Sequence, residues 1–332
     1  MTFSGTLMPG LAHDPSSPSV SQLDLHFLSA SVKKMQLYAA ETYFREAWDD
    51  TQEMWGSEIK AYLERTAGII FKPEAVVGRL IERCLQYLME NGFYPVSSSP
   101  LLFNRHIIRE VWRYQFNIAT LDRLAFVDEL MTASDCLLVF VQDVQQRIGI
   151  SAAKRLKALK GPARPNDRKP QQLRHVLGLR PPLLSYIHAT DEPADVVREL
   201  GIYYTNSQRR RILFQIGESI RTKRYTTELA LQQTKDLYTR FPAHDLDFDK
   251  SVARLREAVG ERMTTETNRE QLMQDLEKIC DRLSSRKDSN WLSFKRRLEA
   301  AKIRTDIWDL IVVGAELTQS DLPNGQQILS EL

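Results

Sequence analysis

Basic residues dominate the one stretch of this chain whose side chains are dense enough to do collective chemistry. Lys154, Arg155, Lys157, Lys160, Arg164, Arg168, Lys169, Arg174 and Arg180 are followed by Arg209, Arg210, Arg211, Arg221, Lys223 and Arg224. Residues 151–224 hold 16 Lys and Arg against 6 Asp and Glu, whereas residues 1–150 hold 13 against 18 and the remainder 16 against 19. The formal net charge of +2 therefore hides a basic middle between two acidic flanks. A Lys or Arg set against a phosphate releases condensed counterion, giving affinity for a polyanion of any sequence. Tyr186, Tyr203, Tyr204, Phe214 and Tyr225 add rings that can stack on bases. All of these cations except Arg180 form the candidate nucleic-acid interface, with RNA or single-stranded DNA as the partner. The competing reading is that the charges pair with the acidic flanks while the aromatics fill a core.

Other constellations are sparser. Asp49-Asp50-Thr51-Gln52-Glu53 resembles the aspartate-rich magnesium motif of helical terpene synthases, which implies an all-helical enzyme that ionises a diphosphate. The second ligand set that such chemistry requires does not appear downstream at helical spacing. Asp122, Asp128, Glu129, Asp135 and Asp143 spread over too many turns for a calcium loop, and Asp245, Asp247 and Asp249 suit a helix start. His13, His26, His106, His175, His188 and His244 never approach one another or a cysteine at ligand spacing. No Walker loop, dinucleotide-binding glycine turn or nucleophile elbow is present. Catalytic residues, metals and cofactors are accordingly expected to be absent.

The elements that would carry the basic stretch read as helices. From Val32 to Ile69 the positions Leu37, Phe44, Trp48, Trp55, Ile59 and Tyr62 mark one buried stripe of a long helix. Pro73 opens a second helix that ends at Asn91-Gly92. A Pro- and Ser-rich loop at Pro95 to Pro100 follows, and Thr120 then caps a helix running through Leu124, Val127, Leu130, Leu137, Val141, Val144 and Ile148. Leu137 to Val141 has a strand as its alternative, set aside for the helical period on either side. Residues Gln208 to Gln232 read as two helices with a turn near Arg221 to Tyr225, which makes a helix-turn-helix conceivable. The C-terminal third shows four further stripes: Phe248 to Val259, Leu272 to Leu283, Trp291 to Leu298 and Ile307 to Leu317.

The expectation is thus an all-α protein of two helical lobes joined by a basic, Pro-interrupted central region: a flexible N-terminal arm over 1–20, lobes over 21–150 and 226–332, and the interlobe region over 151–225. This layout is similar to that of viral nucleoproteins. It implies a non-enzymatic, oligomerising protein that binds RNA along its basic centre, with the arm joining subunits. A helical scaffold or adaptor subunit is the alternative, and a terpene-synthase-like enzyme the third reading. Apolar runs far shorter than the roughly 20 residues of a membrane span, no basic leader, and three scattered cysteines point to a cytoplasmic, reducing location.

Overall fold

Thr66-Ala67-Gly68-Ile69-Ile70-Phe71 is rich in β-branched and aromatic residues, buried along its whole length, and forms a strand rather than the end of a helix. The computed structural model describes residues 26–178, 183–262, 270, 272–277 and 291–329. The long helix expected from Val32 to Ile69 is three helices: α1 (Val32–Ala39), α2 (Thr42–Trp55) and α3 (Ile59–Arg65), followed by β1 (Thr66–Phe71). Gly56, at φ +48°, stops α2 in a conformation that a side chain disfavours. The helix expected after Pro73 is α4 (Pro73–Val77) and α5 (Ile81–Glu90), with Pro73 in the first turn and Asn91-Gly92 at the end, as expected.

The Pro- and Ser-rich segment is β2 (Phe93–Leu101). Its prolines are tolerated because β2 lies at a sheet edge and its register slips between Pro95 and Ser97. Two helices, α6 (Arg105–Val111) and α7 (Leu121–Thr132), lead to β3 (Cys136–Asp143). The Thr120 side chain caps α7 by accepting from the Arg123 N–H, but the helix stops at Thr132, and Leu137 to Val141 belongs to the strand. A continuous apolar run cannot be assigned by periodicity, because burial on both faces erases the alternation.

The stretch expected to link two lobes instead supplies the sheet's last strand. It contains α8 (Ala152–Lys160), α9 (Leu173–Val176), β4 (Ile187–Ala189) and α10 (Pro193–Tyr203). The sheet is antiparallel in the order β2-β3-β1-β4, with Ile70 opposite His188 and Gly68 opposite Phe140. Strands and crossover helices in this order form a ferredoxin-like α/β core, so the all-α expectation is corrected: four strands drawn from residues 66–189 stand at the centre of the hydrophobic core.

Helices flank the sheet. α10 crosses α2 so closely that a Cβ at Gly201 would stand 2.0 Å from the Tyr43 carbonyl oxygen. α11 (Asn206–Thr222) and α12 (Thr227–Arg240) lie on β2, the pair expected from Gln208 to Gln232, and α13 (Phe248–Arg262) packs on the helix Ile307–Leu317, which contacts α7. Leu272, Leu276, Trp291, Phe294, Leu298, Leu310 and Ile311 are buried, as their stripes predict. The N-terminal arm over 1–20, Arg180, and the Ile279 and Leu283 positions lie outside the described residues. Among the described residues no helix is long and apolar enough to cross a membrane.

Candidate functional site

Pro193 in the first turn and a reciprocal cap between Glu192 and Asp195 start α10 beside the end of β4, which sets Glu199 against His188. The His188 Nε2 lies 2.6 Å from a Glu199 carboxylate oxygen, and the other oxygen accepts from the Tyr203 hydroxyl at 3.1 Å. Glu199 is buried, so this hydrogen-bonded ring edge is shielded from water. With Nε2 donating to the carboxylate, Nδ1 carries the lone pair. Among the described residues it has no hydrogen-bond partner. The Trp112 ring meets the imidazole edge-on, its centroid 5.5 Å away.

Two cavities meet at this histidine, one of about 190 Å³ and one of about 560 Å³, sharing Trp112, Gln115, His188, Ala189, Asp191 and Gln327. The smaller is lined by Lys72, Arg123, Lys160 and Arg174 and by the Trp112 and Phe116 rings. Lys72 ends β1 where Pro73 forces the chain out of the strand, and its ammonium is 2.6 Å from the buried Glu74 carboxylate. That carboxylate also accepts the Tyr186 N–H, at a residue with φ +61°, and the Lys72 N–H reaches the Tyr186 carbonyl. The β1 and β4 ends are thereby clamped together. Arg174, on α9, donates to the carbonyl oxygens of Gly161, Ser185 and Ile187 at 2.8, 3.2 and 2.6 Å, which fixes its guanidinium beneath the cavity. Burial works to raise the Asp191 carboxyl, but Lys160, Lys157, His188 and Lys34 around it hold it down at about 2.

Of the residues expected to contact nucleic acid, Lys160 and Arg174 line the smaller cavity and Lys154 and Lys157 the larger. Lys154 pairs with Glu192, and Lys157 and Lys160 with Asp191. Half of the others are spent on structure. Arg155 is buried against Asp143 and Phe93, and Arg168 donates to the carbonyls of Pro162, Ala163, Arg174 and Gly178. Arg209 is buried on Asp50, Arg210 pairs with Glu53 and Asp50, and Arg221 with Glu218. Arg164, Lys169, Arg211, Lys223 and Arg224 are exposed. Of the rings expected to stack on bases, Tyr186 is buried, Tyr203 and Tyr204 pack on the core, and Tyr225 stacks on Tyr94. The Asp-rich motif of α2 is a structural partner of these arginines, since Asp50 is 2 % exposed.

The sequence reading missed His188, Glu199 and Lys72. The signal for His188 was an apolar doublet, Tyr186-Ile187, ending in His-Ala-Thr-Asp, eleven residues before Glu199. Glu199 falls in the second turn of the helix that starts at Pro193, so the spacing becomes informative only once that helix is placed after β4.

Comparison with known proteins bears on the same segment. Residues 64–209 match the family model described as nucleoside diphosphate kinase. No curated protein matches the chain. Among solved structures, the Aquifex aeolicus nucleoside diphosphate kinase is 19 % identical, covering 42 % of this chain and 95 % of its own, with a TM-score of 0.36. The Encephalitozoon cuniculi enzyme is 18 % identical over 45 % of this chain and 99 % of its own, at 0.37. An NDP kinase from Pyrobaculum aerophilum is 16 % identical over 43 % and 97 %, at 0.36.

The family match overturns the expectation of a non-enzymatic, RNA-binding nucleoprotein of viral type, because the segment expected to bind RNA is largely the part that matches an enzyme family. It equally displaces the scaffold reading and the terpene-synthase-like one. The all-helical layout on which all three rested is absent.

Proposed function

We propose that the chain transfers a phosphoryl group from a nucleoside triphosphate to a nucleoside diphosphate through His188. The observation that carries this reading is the His188–Glu199 pair at the edge of a cavity lined by Lys72, Arg174 and Lys160. A nucleophile is recognised by an oriented partner that holds one tautomer and takes up the charge developed on attack. Nδ1 attacks the terminal phosphorus of the triphosphate, the bond from that phosphorus to the bridging oxygen breaks, and the nucleoside diphosphate leaves with the bond's electron pair. The imidazole ring then bears positive charge, which Glu199 neutralises through Nε2. In the second half, a terminal oxygen of an acceptor diphosphate attacks the same phosphorus, the nitrogen–phosphorus bond breaks, and His188 is restored.

Phosphoryl transfer asks a protein for positioning and charge stabilisation. Lys72, Arg174 and Lys160 supply cationic donors fixed by their own partners, so they need little reorganisation as charge moves across the equatorial oxygens. Trp112 and Phe116, 5.8 Å apart, form the apolar side of the same cavity and suit a nucleobase. The family to which residues 64–209 are similar supports the same substrate class. A reducing cytoplasmic location fits the buried free thiols Cys84 and Cys136.

The test is incubation with γ-labelled ATP and magnesium. Wild-type protein takes up an acid-labile, alkali-stable label and passes it to added nucleoside diphosphate, and His188→Asn takes up none. A wild-type protein that remains unlabelled refutes the reading.

A further inference from the structure

Every described residue lining the smaller cavity comes from residues 64–209 except Gln327. The chain reaches that position by a strap, residues 319–329, stitched along the wall that carries Trp112 and Phe116. The Thr120 N–H donates to the Ser320 carbonyl at 3.3 Å and the Leu322 N–H to the Ile118 carbonyl at 2.7 Å, while Asp321 pairs with Arg123. Asn117 then grips the backbone on both sides of Gln327: its Nδ2 donates to the Gln326 carbonyl at 2.8 Å, and its Oδ1 accepts the Ile328 N–H at 3.1 Å. A Cβ at Gly325 would stand 2.8 Å from Ile118, so the strap lies as close to that wall as backbone allows. These bonds fix the main chain of Gln327, and among the described residues its side-chain amide has no hydrogen-bond partner.

A second carboxamide stands in the same place. Gln115 lines both cavities, and its Oε1 is buried without a hydrogen-bond partner. Leaving a buried acceptor unmade is costly, and native proteins keep few such groups without a use for them. Two amides that offer both donors and acceptors, at the junction of the cavities and on the aromatic wall, suit the hydroxyls and base edge of a nucleoside. They do not suit its phosphates, which Lys72, Lys160 and Arg174 attract from the cavity floor.

We propose that Gln115 and Gln327 recognise the nucleoside part of the nucleotide, so that the C-terminal strap completes the binding site from outside the family-like segment. This rests on the reading of His188 as the phosphoryl carrier. Discrimination follows from unmade bonds: a site built around hydrogen bonds to a ligand loses the bond and leaves its own buried group unpaired when the ligand lacks the match.

The experiment compares wild type, Gln327→Ala and Gln115→Ala by two measurements. The first is the dissociation constant for a nucleoside diphosphate. The second is the ratio of His188 phosphorylation rates by subsaturating ATP and by phosphoramidate, a phosphoryl donor with no nucleoside. Each substitution raises the dissociation constant and lowers the ratio by about threefold to tenfold, the worth of one neutral hydrogen bond. A dissociation constant within twofold of wild type in both variants overturns the proposal while leaving His188 as carrier. So does a proportional loss of both phosphorylation rates, which places the effect on His188 itself. Wild-type protein that takes label from neither donor overturns the reading of His188 and this one with it.

Discussion

Glu199→Gln is the sharpest probe of the charge argument, because it changes almost nothing but charge. The glutamine oxygen still accepts from His188 Nε2 at the position now 2.6 Å away, and the amide nitrogen that replaces the other oxygen donates to the Tyr203 hydroxyl, so ring orientation and tautomer persist. What is lost is the negative charge that neutralises the ring as the nitrogen–phosphorus bond forms. Hydrogen bonds to charged groups contribute about 1.5–3 kcal/mol against about 0.5–1.5 kcal/mol for neutral pairs, so the transition state loses about 1–2 kcal/mol. That corresponds to a phosphorylation step roughly fivefold to thirtyfold slower. Single-turnover labelling by saturating ATP reads this step without product release or nucleotide affinity. A rate within twofold of wild type would show that Glu199 only orients the ring, and the nucleophile argument would lose its electrostatic half.

Arg209→Gln removes the charged partner that the buried Asp50 carboxylate meets at 2.6 Å and leaves it Asn206 and the part-exposed Arg210, so chemical denaturation should show a loss of about 1.5–3 kcal/mol. Asp191 is held at about 2 against an ordinary 3.8, so it contributes about 2 kcal/mol that is fully present above pH 4 and fades as pH falls toward 2. Asp191→Asn should lose that increment at pH 7, and the two stability curves should converge in acid. Leu276→Ala should cost about 2–5 kcal/mol by denaturant midpoint, since Leu276 is fully buried.

The helices that bury one stripe were legible: Trp48, Val252, Leu255, Trp291 and Phe294 all lie where periodicity puts them. The sheet was not, for a reason general to strands covered on both faces. β1 and β3 are buried at every position, so their apolar residues do not alternate, and a run of five reads as helix or strand alike. β2 carries two prolines that argue against a strand until its place at the edge is known. β4 is three residues long, too short to register in any window, yet it carries His188. With the strands unread, His188 and Glu199 are merely eleven residues apart, and Lys72 is merely a lysine before a proline.

The basic stretch shows what charge counting records and what it leaves out. One set of its cations meets carboxylates from distant segments: Arg209 with Asp50, Arg155 with Asp143, Lys154 with Glu192. Asp50 and Asp143 belong to the excess of acid that the flanks displayed, so part of the local imbalance of +10 is an image of pairing across the fold, whereas Glu192 lies within the basic stretch itself. A second set is held by carbonyl oxygens. Arg174 grips Gly161, Ser185 and Ile187, and Arg168 grips four carbonyls of its own loop. A carbonyl is a dipole and cannot cancel a whole charge, so it fixes a guanidinium in place while leaving most of its field intact. Fixed by these carbonyls, the Arg174 guanidinium lines the smaller cavity together with His188. Composition records both sets as the same letter. Only the fold brings the Ser185 and Ile187 carbonyls of the β4 approach onto Arg174 of α9, and with them the placement beside His188 on which the proposed phosphoryl transfer relies.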